Sequence, residues 1–440
     1  MATARYVAFI LPANQPDAIR MIDIGTAEPI DDLIFRFRLQ ASDNSNNQSV
    51  QGLSKKATQL RKLRQVFYNS TPAIQLSQAI IRPIREFTTQ SKHLILAPDG
   101  NLNLVPFQIL PTDENGAIAL LMDDWTISYL SVGRDILRSK EKISQPSTPL
   151  IIADPDFDLV SEDSDTAWTI AENIKAELLS TLASDKLKRA IGTKYLGESI
   201  ARKLKNARLY TGKAALETLL ITNHCPAIIL IATHGIFIPD STKQSLNNNL
   251  DVAIQNPMMR SGLAFAGANT WLAGGSIPKQ AGKGFALAQE IATLDLRANE
   301  ITVLSACDTA RGDIKIGEGV FGLRRAFAVA GAKTLIMSLW SVPDKATALL
   351  MERFFDNLQL GMGRGEALQH AQNYLCNITV NELEQATLGL EVLAERLKLN
   401  KLSPETKIDC REDDTPLQHP FYWGAWICQG DTAAICCDTL

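Results

Sequence analysis

The sequence predicts an α/β fold, with a mostly parallel sheet flanked by helices and a smaller subdomain in front of it. Three observations carry this. Two apolar runs, Ile228-Ile-Leu-Ile-Ala-Thr-His234-Gly235 and Ile301-Thr-Val-Leu-Ser-Ala-Cys307-Asp308, are aliphatic and β-branched without polar alternation, as strands covered on both faces of a parallel sheet are. Strand and helix patterns alternate through the C-terminal two thirds, the order that an α/β layer fold requires. Both runs end in a reactive side chain, and ligands and catalytic groups collect beyond the carboxyl ends of such strands.

Taken in order, residues 6–11 and 20–24 read as strands joined by a turn at 14–17. An amphipathic helix starts near Ile30, another covers 72–88, and a strand at 93–97 turns at Pro98-Asp-Gly-Asn101. Residues 140–149 are polar, proline-bearing and aperiodic. They mark a boundary between a supporting subdomain, 1–146, and the main domain, 147–440. Downstream, 150–153, 207–210, 228–232, 301–305, 334–339 and 423–428 are predicted strands. Segments 167–182, 213–221, 319–329, 345–358 and 364–374 are predicted helices. The long stretch 239–284, with Asn247-Asn-Asn249 and Gly274-Gly275, is predicted as surface loops over the site.

At 440 residues the chain predicts two or three domains, and 45% hydrophobic with 21% charged residues is ordinary for a globular protein. A net charge of -4 gives no bias towards nucleic acid or anionic membranes, so direct nucleic-acid binding is not expected. The basic runs 186–208 and 55–64 read as solvated helix faces. No apolar run approaches the roughly 20 residues of a membrane span, and the N-terminal apolar stretch is too short for a signal peptide. Seven cysteines without a C-x-x-C pair suggest neither a disulfide framework nor a zinc ribbon. The expectation is a soluble cytoplasmic protein with no cofactor and no metal.

Nine short words then occur in order: Ala97-Pro-Asp-Gly100, Leu104-Val-Pro-Phe107, Ala232-Thr-His-Gly235, Ser261-Gly-Leu-Ala264, Leu304-Ser-Ala-Cys-Asp-Thr309, Gly319-Val-Phe-Gly-Leu323, Ala330-Gly-Ala332, Leu339-Trp-Ser-Val342 and His419-Pro-Phe-Tyr-Trp-Gly-Ala425. Together they resemble a CHAT domain, the caspase-like peptidase module often found behind tetratricopeptide repeats and related to separase. The resemblance implies a caspase-like sheet, a degenerate caspase-like subdomain before it, and a Cys307 nucleophile with His234 as base. It also implies an oxyanion hole from the N–H groups of Gly235 and Cys307. Asp344 matches the separase-like aspartate that receives an arginine, and Asp154 ends the first strand at the same sheet edge, so a basic P1 residue is expected. The implied partners are a protein substrate and an activating protein or an attached tetratricopeptide region. No 34-residue period is visible here, and a free-standing chain and a piece of a longer one are equally compatible.

His234 is the only histidine that ends a buried-looking strand, and an imidazole beside a thiol raises the thiolate fraction. The chain departs from caspases in two ways. Ser305-Ala-Cys307 replaces Gln-Ala-Cys, and the His-to-Cys spacing of 73 exceeds the caspase value of about 50, so aspartate specificity is not carried over. A match to G-x-G-x-x-G at Gly317 to Gly322, with Asp344 beyond, raises dinucleotide binding as an alternative. Its first glycine lies too far after its strand for that motif. A silent caspase-like scaffold is the other alternative.

Overall fold

The computed structural model describes residues 3–42, 71–88, 91–112, 119–140, 146–161, 186–237, 257–308, 317–397, 411–436 and 440. In chain order its strands are β1 (Arg5–Ile10), β2 (Arg20–Thr26), β3 (His93–Leu96), β4 (Thr126–Tyr129), β5 (Leu150–Pro155), β6 (Arg208–Gly212), β7 (Ile228–Phe237), β8 (Ser261–Ala264), β9 (Phe285–Leu287), β10 (Ile301–Asp308), β11 (Thr334–Ser338) and β12 (Trp426–Gly430). The principal helices are α1 (Ala27–Ser42), α2 (Thr71–Ile80), α3 (Ile191–Lys203), α4 (Gly317–Ala330), α5 (Asp344–Gln359) and α6 (Arg364–Asn377). They form two compact units, Met1–Tyr129 with Leu368–Trp426, and Leu130–Ala367 with Ile427–Leu440. Each unit is built from separate stretches of chain.

In the first unit, β1 and β2 form an antiparallel hairpin and β3 runs parallel to β4. Helix α1 buries Ile30, Ile34, Phe37 and Ala41, a stripe at helical spacing, and α2 answers with Ala73, Leu76 and Ile80. Arg38, also buried, donates to the Leu104 carbonyl at 2.9 Å, so its charge is not left unpartnered.

The second unit carries the parallel sheet. Its strands run in the order β12, β11, β10, β7, β5, β6, with β10 parallel to both neighbours and β5 parallel to both of its own. Every residue of β5 and β11 is buried, which is why these runs carry no polar alternation. From β5 the chain passes to β6 on one side, whereas from β7 it passes to β10 and β11 on the other. The carboxyl ends of β5 and β7 therefore flank a switch point, where α/β sheets open a crevice. Strand β7 outlasts β5. Its pairing with β5 stops at Ala153 and Ala232, but pairing with β10 continues through His234 and Cys307 to Gly235 and Asp308. Strand β8 then pairs antiparallel with Gly235, Ile236 and Phe237.

A polar clip sits at the amino end of the β7/β10 pair. Asn299, wholly buried, donates to the Pro226 carbonyl at 2.7 Å and accepts from the Thr302 hydroxyl at 2.9 Å. The Glu300 N–H donates to the Ala227 carbonyl at 2.8 Å.

Several expectations are corrected. The helix expected over 72–88 is interrupted at Ile81, and a second short helix, Arg82–Arg85, carries Pro83 in its first turn, where a missing N–H is tolerated. Of the helix expected over 213–221 only Leu219–Thr222 forms. Upstream of it the buried Glu217 instead accepts the backbone N–H groups of Lys283 and Phe285. The described part of 239–284 is only partly surface loop: the turn around Gly274-Gly275 is exposed, but β8 and Phe265, Ala268, Trp271 and Ile277 are buried. The basic run at 186–208 is partly paired rather than only solvated, since Arg189 meets Asp154 and Lys203 meets Asp356. The expected helix at 167–182 and the run at 55–64 lie outside the described residues. Among those described, no helix is long and apolar enough to cross a membrane.

Replacing Asn299 by Ala strips a buried carbonyl and a buried hydroxyl of their partner, so the urea midpoint is expected to fall by the equivalent of about 1–3 kcal/mol. An unchanged midpoint would mean that the clip does not hold the pair.

Candidate active site

His234 stands where β7 has lost β5 as a neighbour but still pairs with β10. Its register partner in that parallel ladder is Cys307. Adjacent strands lie about 4.8 Å apart, so the two backbones are placed side by side. Gly235 follows, and a Cβ there would stand 3.2 Å from the Ala306 carbonyl oxygen, so the strands close tightly at this point.

The space that β5 vacates is filled by two other segments. β5 has a register shift at Asp154, with φ of 49°; its pairing with β7 stops at Ala153, while Pro155 still pairs with Gly212 of β6. Three residues on, Phe157 stacks on the His234 ring, with centroids 5.3 Å apart and planes 29° apart. The segment 186–190 then crosses the end of the sheet, and the carbonyl of Lys188 lies 2.6 Å from His234 Nε2. A carbonyl oxygen only accepts, so Nε2 carries the proton and the lone pair of the neutral ring is on Nδ1. The imidazole is thus held as a base with one defined basic nitrogen. Burial lowers the His234 pKa from its ordinary 6.5, while the Lys188 carbonyl and the charge of Asp344 act in the opposite direction. The ring stays neutral, and able to take a proton, at physiological pH.

The two acids expected in a P1 pocket are placed differently. Asp154 is buried at 4% exposure and is held by both Nε and Nη2 of Arg189, a fork-to-fork pair. Asp344 opens α5, is partly exposed, and accepts the Gly192 N–H at 2.7 Å through Oδ2. The G-x-G-x-x-G match lies at the start of α4, nine residues after β10 ends. Among the described residues, no three His, Cys, Asp or Glu side chains gather as a metal would need.

The CHAT domain family model matches residues 70–431, most of the chain and all of the β7/β10 pair. The chain belongs to the CHAT domain family. Among curated proteins it is similar to tetratricopeptide repeat protein 28 of Mus musculus, 30% identical over 128 residues, 29% of this chain and 5% of that protein. The Homo sapiens protein of the same name is 31% identical over 103 residues, 23% of this chain and 4% of that protein. The matched stretches thus span only a small part of these relatives. Two crystal structures of the Saccharomyces cerevisiae separase-securin complex align with TM-scores of 0.35 and 0.33. They are 11% and 12% identical and cover 96% and 79% of this chain and 21% of each matched chain.

Two other thiols of this CHAT chain are poor candidates for chemistry. Burial pushes the Cys428 thiol up to about 12 and raises that of Cys225 as well, so neither offers thiolate near neutrality. Sequence reasoning missed three contributors to the site. Phe157, the Lys188 carbonyl and Arg189 come from segments with no strand or motif to mark them, and a backbone acceptor leaves no trace in residue type.

The imidazole of His234 is expected to titrate below 6.5 by NMR. Phe157→Ala, which exposes the ring to water, is expected to raise that midpoint, because desolvation is the largest cause of the depression. A midpoint that stays in place would assign the depression to something other than the Phe157 contact.

Proposed function

We propose that the chain is a caspase-like cysteine endopeptidase in which Cys307 and His234 form the catalytic dyad. The observation that carries this is the side-by-side register of the two residues, together with the Lys188 carbonyl that leaves His234 Nδ1 as the basic nitrogen. In the first step the Cys307 thiol gives its proton to Nδ1 as its sulfur bonds to the scissile carbonyl carbon. The carbonyl oxygen becomes an oxyanion facing the N–H groups of Gly235 and Cys307. Collapse of this intermediate breaks the C–N bond, and the leaving amine takes the proton back from Nδ1. Water then attacks the thioester with Nδ1 again as base, releasing the acid and restoring the thiol.

A basic P1 residue fits this reading through Asp344 rather than Asp154. Both oxygens of Asp154 already face Arg189, whereas the hydrogen bond from Gly192 engages only Oδ2 of Asp344. The charge of Asp344 acts on the His234 ring, which supports a place for this carboxylate on the same side of the sheet. The first unit, on this reading, is the supporting subdomain. A protein substrate and control by a partner or by an attached tetratricopeptide region complete the proposal, in line with the relatives named for such repeats.

The test is cleavage of a peptide library by wild-type chain, His234→Ala and Asp344→Asn. Wild type is expected to cleave after Arg or Lys, and His234→Ala to lose at least about 100-fold in kcat/KM. Asp344→Asn keeps an oxygen for the Gly192 N–H. It is expected to lose the basic preference while Cys307 still reacts with a small electrophile. Equal cleavage by wild type and His234→Ala would remove the dyad. With pH, kcat/KM is expected to hold near neutrality and to fall only below 6.5, where His234 takes up its proton.

A further inference from the structure

The stretch from Leu187 to Gly192 is irregular until α3 begins at Ile191, yet it is fastened at several successive points. Leu187 donates its N–H to Asn269 Oδ1 at 3.1 Å, and its carbonyl accepts from Asn269 Nδ2 at 3.0 Å. One side-chain amide thus satisfies both backbone groups of one residue, as a neighbouring strand would. Asn269 is itself buried, and Nδ2 also reaches Asp158 Oδ1 at 3.1 Å. Two residues along, Arg189 Nε donates to Asp154 Oδ1 at 2.9 Å and Nη2 donates to Asp154 Oδ2. The Gly192 N–H goes to Asp344, and Gly192 packs so closely on it that a Cβ would stand 2.5 Å from the Asp344 carbonyl carbon. Between the first two attachments lies Lys188, whose carbonyl accepts from His234 Nε2.

We propose that Asn269 and the Arg189–Asp154 pair are positioning residues, which clamp the chain on either side of Lys188 and so fix the carbonyl that selects the Nε2–H tautomer of His234. This rests on the peptidase reading above. A carbonyl in an untethered segment swings away within the ordinary freedom of φ and ψ, and the imidazole then has no reason to keep its proton on Nε2. In the other tautomer Nδ1 is a donor and takes no proton from the thiol. Clamping residues 187 and 189 leaves the intervening residue little rotation. The pair also accounts for a buried carboxylate at the end of β5, since an ion pair of this kind is a weak source of net stability.

The account is separable from the view that Arg189 merely occupies a substrate pocket at Asp154. On that view Arg189→Ala frees Asp154 and raises cleavage after basic residues, whereas a clamp predicts the opposite. Arg189 is half exposed, so Arg189→Ala and Arg189→Lys are the primary variants, with Asn269→Ala as the buried counterpart. Two measurements are made on the full chain: the His234 tautomer by NMR on ring-nitrogen-labelled histidine, and kcat and KM on an arginyl peptide. Wild type is expected to hold a single Nε2–H tautomer. Arg189→Ala is expected to show a mixture, with kcat down by about 10- to 100-fold and KM little changed. Arg189→Lys, which keeps one charge-assisted bond, is expected to recover part of the loss. An unchanged tautomer in both alanine variants, or a rise in arginyl cleavage for Arg189→Ala, overturns the proposal. If wild type cleaves nothing and its Cys307 is inert, the peptidase reading fails, and the tautomer measurement still decides whether the clamp sets His234.

Discussion

Everything at the site depends on the register of β7 against β10. Strand periodicity is two residues, so a slip of one would put Thr233 or Gly235 opposite Cys307 and leave His234 out of place. Hydrophobic patterning alone does not prevent that slip, because both runs are apolar on both faces and a shifted pair buries nearly the same surface. The discrimination comes from polar groups at the far end of the pair. Asn299 donates to the Pro226 carbonyl and Glu300 to the Ala227 carbonyl, each bond joining the segment that enters β10 to the one that enters β7. A misregistered pair would leave these buried groups unsatisfied, and that is costly. The side-by-side placement of His234 and Cys307 is thus set by hydrogen bonds seven or eight residues earlier.

The second constraint is the early ending of β5. Had β5 continued beside β7, a strand would lie on the edge of His234 that the Lys188 segment now approaches. Pairing with β7 stops at Ala153, before the bulge at Asp154, and one short stretch of sequence then delivers Phe157 to the face of the ring while the later segment delivers the carbonyl to Nε2. Stacking and burial act on the pKa, and the carbonyl acts on the tautomer. A neutral ring with its lone pair on Nδ1 needs both.

Much of this was legible in the residues, though unevenly. Uninterrupted apolar runs ending in His234 and Cys307 announced two parallel strands, and the nine ordered words carried the family. The periodic helices α1, α4, α5 and α6 followed from spacing. What failed did so for tertiary reasons. Residues 213–218 have a helical pattern, but Glu217 is drawn into bonds with Lys283 and Phe285. The region around Asn269 is rich in small residues and reads as loop, yet packing buries it. The partners of Asp154 and Asp344 were hidden because acidic residues at strand and helix ends look alike whether they await a ligand or hold their own chain. Arg189 sat in a basic run whose ordinary meaning is a solvated face, and only the fold brings it to Asp154.

The central claim is that His234 acts on Cys307, and the most direct measurement is the ionisation of that thiol. The rate of alkylation of Cys307 by iodoacetamide, followed by peptide mass mapping from pH 5 to 10 in wild type and His234→Ala, gives its apparent pKa in each. An apparent pKa of Cys307 alkylation well below the free-thiol value of about 8.5, because neutral His234 takes the thiol proton as sulfur bonds the reagent, moving towards that value in His234→Ala, is the predicted result. The same pKa in both proteins would contradict the account, because the imidazole would then have no hold on the thiol beside it.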